Sequence, residues 1–511
     1  MKMPLRSLQR NAGKTAQGRI SISSAWGLMA VFVLASRTLV QADDFSYETD
    51  EYSGTMIVKQ YTGPGGAVII PSTKDGTNVT MIGDEAFISC SNLTSVTIPE
   101  SVIYIGGSAF QYCTGLTNIT IPGSDIGDYA FQYCSGLTSV TLSNGVISIG
   151  ARAFGSCSNL YAIAIPDSVN SIGGSAFQNC SGLTSVTLGS GITSIGSYTF
   201  VFCSSLSSIS MPTNVTSIGG YAFYACSNLA SIALGNSMSG IGNYAFFACS
   251  RLNSIAIPDS VTSIGVAAFK NCSNLASIML GNGLSIILDS TFQNCSALNN
   301  LAFPSGITYI GGFAFQYCTS LKSIAIPGSV TYIGDSAFQY CTNLASVSLG
   351  NGVTTIGVYA FDSCTSLNRI TLGNAVGTLG GSAFSSCSKL TGVFFKGHAP
   401  GAVGSDVLTG STNATVFYLP GTTGWEAAFG GRPTALWKTQ CIDAGFSVPT
   451  NRFGFDVNWA SGMVVVVETC TDLTSAIWSP LETNTLSGDT VYFSDPQWTN
   501  FQVRFYRLRM P

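Results

Sequence analysis

Cysteines recur along this chain at a nearly constant interval. Twelve of the thirteen gaps between fourteen successive cysteines are 23 residues long, and one gap, from Cys113 to Cys134, is 21 residues long. A period of roughly 20–50 residues that persists over so many copies indicates a stack of similar supersecondary units, a solenoid, which offers a long surface for binding. The periodic cysteines are Cys90, Cys113, Cys134, Cys157, Cys180, Cys203, Cys226, Cys249, Cys272, Cys295, Cys318, Cys341, Cys364 and Cys387.

Each repeat contains one short strand, a residue that turns the chain, and a second extended segment. After the first periodic cysteine, Leu93 is followed at alternating positions by Val96 and Ile98. This alternation is typical of a half-buried strand and matches the strand signature of leucine-rich repeats. A proline or a glycine then ends the strand. In residues 109–113 (AFQYC), apolar side chains three positions apart predict a single helical turn.

The apolar residues of each repeat are expected to point into a shared core. One repeat cannot bury this face alone, so burial requires the neighbouring repeats. Each buried Leu, Ile, Val or Phe contributes roughly 1.5–3 kcal/mol, so the stack needs neither disulfides nor metal ions.

The periodic cysteines lie between core phenylalanines and core leucines, where free cysteine behaves as a small buried hydrophobic residue. We therefore expect a ladder of unbridged thiols, although a strand spacing of about 4.8 Å also permits disulfides. Cys441 and Cys470 fall outside the interval and are candidates for a disulfide with each other.

The strings IGGSAFQYCTGLTNITIP (105–122) and IGNYAFFACSRLNSIAIPDSVTSIG (241–265) resemble the BspA-like leucine-rich repeats of bacterial surface proteins. The resemblance covers residues 55–396 and implies a mainly β fold, a leucine-rich-repeat solenoid of fourteen repeats of about 23 residues. It also implies an extracellular adhesive or ligand-binding role. The third repeat departs from the pattern because it lacks two residues between Pro122 and Ile126, and we expect a turn to absorb this deletion.

Residues 1–42 have the features of a secretory signal peptide. Five Lys and Arg residues precede an apolar run at 25–35, and Val40-Gln41-Ala42 offers a small-residue cleavage site. The apolar run is too short for a stable membrane span. We expect an exported protein, secreted or held at the cell surface, with no integral membrane span in the mature chain.

Segments without the cysteine interval flank the repeats. Residues 43–80 have the pattern of an N-terminal β cap, residues 81–396 form the predicted solenoid, and residues 397–442 are a C-terminal cap. Short strands separated by Gly, Asn and Pro predict a small all-β, sandwich-like domain at 443–511. A core of this length is marginal alone, so the domain is expected to pack against the cap.

Composition argues against several function classes. Without the leader, 15 Lys and Arg stand against 25 Asp and Glu, and an acidic chain without a basic stripe is not expected to bind nucleic acid. His398 is the single histidine, and the chain has no C-x2-C pair, no G-x-S-x-G motif and no phosphate loop. We therefore expect no metal site, no cofactor and no catalytic residue.

Paired carboxylates are the remaining route to enzyme activity, that of an exported hydrolase. We expect these carboxylates instead to solvate strand ends and turns of the C-terminal domain. The candidates are Asp456, Glu468, Asp472 and Asp495.

Aromatic residues mark the candidate ligand-binding site. Tyr198, Tyr221 and Tyr244 occur five residues before the cysteine in three consecutive repeats, and Tyr224 and Phe247 lie close to them in the sequence. Stacked one repeat apart, they are expected to form a ladder, and exposed aromatic surfaces bind sugars or protein partners. The alternative is that these rings only shield the edges of the repeats.

The sequence therefore predicts a secreted or surface-attached, non-catalytic binding or adhesion protein. Its solenoid surface is expected to engage an extracellular protein or polysaccharide. The alternatives are a structural surface spacer that displays the C-terminal β domain and, third, an exported hydrolase. No feature of the sequence specifies an oligomeric state.

Overall fold

The computed structural model describes residues 44–438, 440–447, 453–460, 462–474, 477–488 and 490–509. The predicted signal peptide at 1–42 lies outside these residues, and so does the side chain of Cys441. The described residues belong to one compact unit. Within them, no helix has the length and apolar character that crossing a membrane requires.

One side of each solenoid turn contributes a short strand to a parallel ladder. In most of these strands the second residue points inward, as in Tyr309–Ile310, where Ile310 is fully buried and Tyr309 is half-buried. The strands are Met56–Tyr61, Thr77–Ile82, Tyr104–Ile105, Asp125–Ile126, Ser148–Ile149, Ser171–Ile172, Ser194–Ile195, Ser217–Ile218, Gly240–Ile241, Ser263–Ile264, Ile286–Ile287, Tyr309–Ile310, Tyr332–Ile333, Thr355–Ile356, Thr378–Leu379 and Ala402–Val403.

The second side carries the strands that the leucine-rich signature predicts. They pair in parallel, and Ser185, Val186 and Thr187 lie opposite Ser208, Ile209 and Ser210, so every side chain keeps its face from turn to turn. The strands are Gly66–Ile69, Leu93–Thr97, Asn118–Ile121, Ser139–Leu142, Ala162–Ala164, Ser185–Thr187, Ser208–Ser210, Ser254–Ala256, Ser277–Met279, Asn300–Ala302, Ser323–Ile326, Ser346–Leu349, Arg369–Leu372, Gly392–Phe395, Thr415–Tyr418 and Arg432–Leu436.

The third side, which carries the A-F-x-x-C segment, is not helical, and the prediction of a helical turn at 109–113 is wrong. Ser108 and Tyr112 have φ values of 54° and 62°, in the left-handed region, which interrupts a right-handed helix. The N–H groups of Tyr129, Phe131 and Tyr133 instead donate to carbonyls of the next turn at 2.7–2.8 Å. Apolar spacing of three residues fits both structures, and only the presence of the neighbouring turn distinguishes them.

The core of the solenoid is a continuous column of identical residues. Fourteen phenylalanine rings, from Phe87 to Phe384, stack with centroids 4.7–5.6 Å apart. Beside them lie the periodic cysteines, which are free thiols and, apart from the half-buried Cys90, fully buried. Aromatic pairs contribute about 0.5–1.5 kcal/mol beyond the burial of their area.

Each thiol from Cys113 to Cys387 donates a hydrogen bond to a backbone carbonyl. In these thirteen turns Sγ lies 3.0–3.3 Å from the carbonyl oxygen of the phenylalanine one turn earlier. A cysteine is therefore suited to this position because it is both small and apolar and also satisfies a buried acceptor. The expected ladder of unbridged thiols is confirmed.

The short third repeat keeps its register. Asp125 and Ile126 lie opposite Tyr104 and Ile105, so the missing two residues are absorbed before the short strand, as the sequence predicts. In that connection the buried Ser124 hydroxyl donates to the carbonyl of Val102 at 2.6 Å.

The solenoid continues into both flanking segments. At the N-terminus, Phe45–Thr49 pairs in antiparallel fashion with Met56–Tyr61, and the ring of Tyr61 stacks on Phe87. A further antiparallel strand, Thr73–Lys74, pairs with Thr77–Ile82.

At the C-terminus, one turn beyond the last periodic cysteine stacks in register. Ser411 takes the place of the cysteine there and donates to the carbonyl of Phe384 at 2.7 Å. The pattern without its cysteine still forms a turn, because a hydroxyl supplies the same hydrogen bond. The strand Ala428–Phe429 then pairs with Arg432–Leu436 in antiparallel orientation.

The C-terminal residues form two antiparallel three-stranded sheets, as the sequence predicts. Their shared core includes Phe455, Val467 and Phe493, and it continues to Leu419 and Trp437 of the preceding segment, so the small domain packs against the end of the solenoid. One sheet contains Gln440–Ser447, Phe453–Asn458 and Thr490–Asp495, the other contains Ser479–Thr485, Val464–Cys470 and Phe505–Arg509, and a 3-10 turn spans Trp498–Asn500.

Candidate functional site

Three tyrosines on consecutive turns, Tyr198, Tyr221 and Tyr244, form a stacked column that we call the tyrosine ladder. Both neighbouring pairs have ring centroids 4.8 Å apart, with ring planes inclined by 7° and 15°. This distance matches the spacing of adjacent strands, about 4.8 Å, so the ladder follows from the register of the turns. Tyr198 is 44% exposed, and the other two rings are half-buried because a neighbouring ring covers each of them.

The backbone of the repeat, not the tyrosine, sets the position of these rings. The three residues have φ values of 61°, 58° and 56°, and Ala267, at the same position of the next turn, has a φ of 54°. A left-handed residue costs roughly 1–2 kcal/mol, and hydrogen bonds between turns hold it in place. The N–H of Tyr221, for example, donates to the carbonyl of Asn243 at 2.9 Å.

A second stacked pair adjoins the ladder. The rings of Tyr224 and Phe247 lie 4.6 Å apart and are inclined by 2°, and Tyr224 lies 5.6 Å from the ring of Tyr221. The structure thus brings all five predicted site residues together.

Phe202 extends this aromatic surface, which the sequence prediction did not include. Its ring meets Tyr224 edge-on at 5.5 Å and is 48% exposed. The available signal was its place directly before Cys203, because the left-handed residue at that position has its side chain at the surface in this turn. We call these six rings, three in the ladder together with Tyr224, Phe247 and Phe202, the aromatic patch.

A shallow depression of about 560 Å³ lies beside the ladder. It is lined by Tyr198 and Tyr221 together with small or uncharged residues of the neighbouring turns, including Ser197, Asn243 and Ser263. Burial by the neighbouring rings raises the pKa of Tyr221, so its phenol stays neutral at physiological pH. An uncharged lining of hydroxyls, an amide and aromatic faces suits a neutral, hydroxyl-bearing ligand.

Neighbouring turns approach each other closely at this depression. A Cβ added to Gly242 would lie 2.5 Å from the backbone nitrogen of Gly220, so a larger residue does not fit without moving the turns apart. The ladder spacing of 4.8 Å depends on this close approach.

The carboxylates that the sequence nominated for a hydrolase do not form a catalytic pair. Glu468 lies on one sheet of the C-terminal domain and accepts hydrogen bonds from Arg507 at 2.8 Å and Arg509 at 2.6 Å. The hydrogen bond from Arg509, followed by that from Arg507, lowers the pKa of Glu468 although its burial opposes the shift. A general acid needs the opposite shift.

Asp495 lies on the other sheet and has its own partners. Arg504 is 2.9 Å away as an ion pair, and the hydroxyl of Tyr506 donates to the carboxylate at 2.7 Å. The expectation that the carboxylates solvate strand ends is therefore wrong for Glu468 and Asp495, which are buried in ion pairs. Asp472 is exposed at a turn and accepts from Thr474, as expected.

The single histidine and the thiols have structural surroundings. His398 is exposed, and its Nδ1 accepts from the backbone N–H of Thr423 at 3.0 Å. Burial raises the pKa of the Cys180 thiol to about 12, which disfavours the nucleophilic thiolate. Across the described residues, no group of three or more His, Cys, Asp or Glu side chains is arranged to hold a metal ion.

Comparison with protein families gives a match over most of the chain. The model described as "BspA type Leucine rich repeat region (6 copies)" matches residues 70–181, 124–250, 216–345 and 310–423. The comparison with curated proteins returned no match.

Solved structures of bacterial leucine-rich-repeat proteins are similar to this chain. A leucine-rich repeat protein from Bacteroides ovatus is 29% identical over 75% of this chain and 94% of its own length, with a TM-score of 0.57. A leucine rich cell surface protein from Faecalibacterium prausnitzii is 25% identical over 75% of this chain and 95% of its own length, with a TM-score of 0.41. The T. pallidum leucine rich repeat protein is 28% identical over 46% of this chain and 90% of its own, with a TM-score of 0.35.

Proposed function

Because this chain belongs to the BspA-type leucine-rich-repeat family, we propose that it is a secreted or surface-attached, non-catalytic binding protein. Its solenoid engages an extracellular polysaccharide or protein, and the aromatic patch is the contact site. The signal-peptide pattern at 1–42 supports export. The separate ion pairs of Glu468 and Asp495 support a role without catalysis.

The aromatic patch is the single observation that carries this proposal. A monomeric protein rarely exposes a contiguous apolar surface without a use for it, and here six rings from three turns meet beside a depression. Ring faces at regular spacing suit a ligand that is itself extended and periodic. The uncharged lining favours a neutral polysaccharide over a charged one.

The ladder variant Tyr198→Ala/Tyr221→Ala/Tyr244→Ala tests the site. Ala267 occupies the same left-handed position in the next turn, so alanine fits this backbone. Removing two stacked pairs is expected to lower the free energy of unfolding by about 1–3 kcal/mol. It is expected to weaken ligand binding at least about tenfold, a change of about 1.4 kcal/mol in binding free energy.

The matched control is Tyr129→Ala/Phe313→Ala/Tyr359→Ala. These three rings occupy the same position of their repeats, with φ values of 60°, 58° and 56°, and they are exposed, but they are not on adjacent turns. A glycan and extracellular-matrix protein array, probed with the mature chain and both variants, provides the measurement. Equal binding by the ladder variant and the wild type would assign the rings to shielding the repeat edges.

A further inference from the structure

A second depression, of about 570 Å³, lies at the end of the solenoid where the long strands meet the C-terminal domain. Phe394, Phe417 and Trp437 line it, and we call these three rings the aromatic platform. Arg369 and Lys438 lie at the same depression, together with Thr371 and Thr391. This site is about seven turns away from the tyrosine ladder along the chain and shares no residue with it.

The platform replaces the small side chains of the outward face. Thr371, Phe394 and Phe417 lie opposite one another on adjacent strands, at a position where earlier turns carry Ser, Thr, Ala or Met. The rings of Phe394 and Phe417 stack at 4.7 Å with an inclination of 10°, and Trp437 lies 4.8 Å from Phe394 at 57°. The result is a flat aromatic floor with one inclined wall.

A glycine makes room for this floor. A Cβ at Gly392 would lie 2.5 Å from the ring of Phe394, so the ring occupies the space that a side chain at 392 takes in other turns. The equivalent residue of the preceding strand is Arg369, whose guanidinium lies 5.8 Å from the centre of the Phe394 ring.

Two cations border the aromatic floor. Arg369 and Lys438 are both exposed, and no acidic side chain is among the lining residues in the described part of the chain. This positive rim stands out because acidic residues outnumber basic ones in the whole sequence, 25 to 21. A planar guanidinium is the side chain that best matches a carboxylate, since it donates two parallel hydrogen bonds.

The surrounding sheet restricts how a ligand can bind. The strand Arg432–Leu436 is already paired on both sides, with Thr415–Tyr418 and with Ala428–Phe429. An extended peptide therefore has no free edge of Arg432–Leu436 to join by strand addition. A ligand has to lie on the face of the sheet, which favours a compact ring over a peptide strand.

We propose that the aromatic platform binds a carboxylated sugar, a uronic or sialic acid residue of an acidic glycan. The apolar face of the pyranose ring packs on Phe394 and Phe417, and the carboxylate is bound by Arg369 and Lys438. The depression, at about 570 Å³, is within the range of roughly 300–1,000 Å³ that is usual for small-ligand sites. The hydroxyls of Thr371 and Thr391 are available to the sugar hydroxyls.

Calorimetric titration of the full mature chain tests this proposal. The probes are oligogalacturonate against neutral oligogalactan of equal length, and sialyllactose against lactose, at low and at physiological salt. At least one acidic probe is expected to bind about tenfold more tightly than its neutral counterpart, since hydrogen bonds to charged groups contribute most to such sites. Added salt is expected to reduce this difference because the cations are exposed.

Two variants locate the binding. Arg369→Gln/Lys438→Gln is expected to remove the preference for the acidic probe, whereas Lys322→Gln, an exposed cation on another turn, is expected to leave it unchanged. The ladder variant is expected to keep acidic-sugar binding, so failure of one site is distinguishable from failure of the other. Melting temperatures of all variants check that the fold is retained.

Three results would overturn the proposal. The first is that neither acidic probe binds, and the second is that the Arg369→Gln/Lys438→Gln variant binds as the wild type does. The third is that an acidic peptide such as polyglutamate binds more tightly than both acidic sugars, which would assign the platform to a protein partner.

Discussion

The solenoid and the C-terminal β domain hold themselves together by different means. In the solenoid, buried residues are nearly all apolar, and one hydrogen bond, from a cysteine to a phenylalanine carbonyl, recurs in thirteen turns. In the β domain, the carboxylates of Glu468 and Asp495 are buried and paired with arginines. The first region gains stability by repeating one packing unit, and the second depends on a few specific ion pairs.

This difference predicts where each region is vulnerable. A solenoid turn contacts only its neighbours, so damage to one turn is shared by the stack. An ion pair with buried members has no substitute, and losing one partner leaves a charge without compensation. Tryptophan fluorescence separates the two regions experimentally, because all five tryptophans after the leader lie at positions 425–498.

The largest expected effect comes from the phenylalanine column. Phe223→Ala is expected to lower the free energy of unfolding by about 3–5 kcal/mol, because a fully buried ring is lost and two stacked neighbours lose their partner. Urea denaturation followed by circular dichroism measures this change. The matched control, Phe202→Ala, removes a ring that is 48% exposed and is expected to cost much less. Equal costs would contradict the assignment of the core.

The second effect concerns the β domain alone. Asp495→Ala is expected to destabilise this domain by about 3 kcal/mol, because the side chain of Arg504 is only 8% exposed and loses its counter-charge. The loss should appear in tryptophan fluorescence and leave the circular dichroism transition of the solenoid nearly unchanged. Asp472→Ala is the control, since Asp472 is exposed at a turn. A matching shift of both transitions would show that the two regions unfold together.

A smaller effect is expected on acidification. Hydrogen bonds from Arg509 and Arg507 hold the pKa of Glu468 below its ordinary value of 4.5, so the folded carboxyl binds a proton less readily than the unfolded one. Its stabilising contribution is complete above that ordinary value and is lost as the pH falls through the lower, folded pKa. Tryptophan fluorescence during an acid titration should therefore report destabilisation of the β domain before the solenoid transition shifts. Glu468→Gln should remove this difference, and its persistence would assign the acid sensitivity to other groups.

The smallest effects concern the thiols. Cys226→Ala is expected to cost about 1 kcal/mol through the lost hydrogen bond, whereas Cys226→Ser should retain that bond, as Ser411 does in the last turn. Reducing agent is expected to leave the melting temperature of the solenoid unchanged, because its thiols are free. A fall of several degrees on reduction would indicate disulfides between neighbouring turns.

The sequence predicted those features that repetition makes visible. The stacking of turns, the inward residues and the adjacency of Tyr198, Tyr221 and Tyr244 all follow from one interval of 23 residues. The non-helical third side could not be predicted in this way, because the i, i+3 spacing of Ala109 and Phe110 with Cys113 is compatible with both structures. The hydrogen bonds that decide between them join different turns.

Features outside the interval were harder to predict. The turn that contains Ser411 has no cysteine, and only the geometry of its hydroxyl shows that it fills the same role. The aromatic platform joins residues from four strands or segments whose sequence positions share no period with the repeats. Glu468 and Asp495 meet their arginines across 39 and 9 residues of sequence, and no local pattern indicates these pairs.

The most direct test of the central claim, that the solenoid and not the β domain is the binding region, compares two damaged proteins. A ligand found on the array is titrated into the wild type, the ladder variant Tyr198→Ala/Tyr221→Ala/Tyr244→Ala, and Asp495→Ala under conditions where tryptophan fluorescence shows the β domain unfolded. The account predicts that the ladder variant binds at least about tenfold more weakly and that Asp495→Ala binds as the wild type does. Normal binding by the ladder variant, together with loss of binding in Asp495→Ala, would contradict it and identify the solenoid as a spacer that displays the β domain.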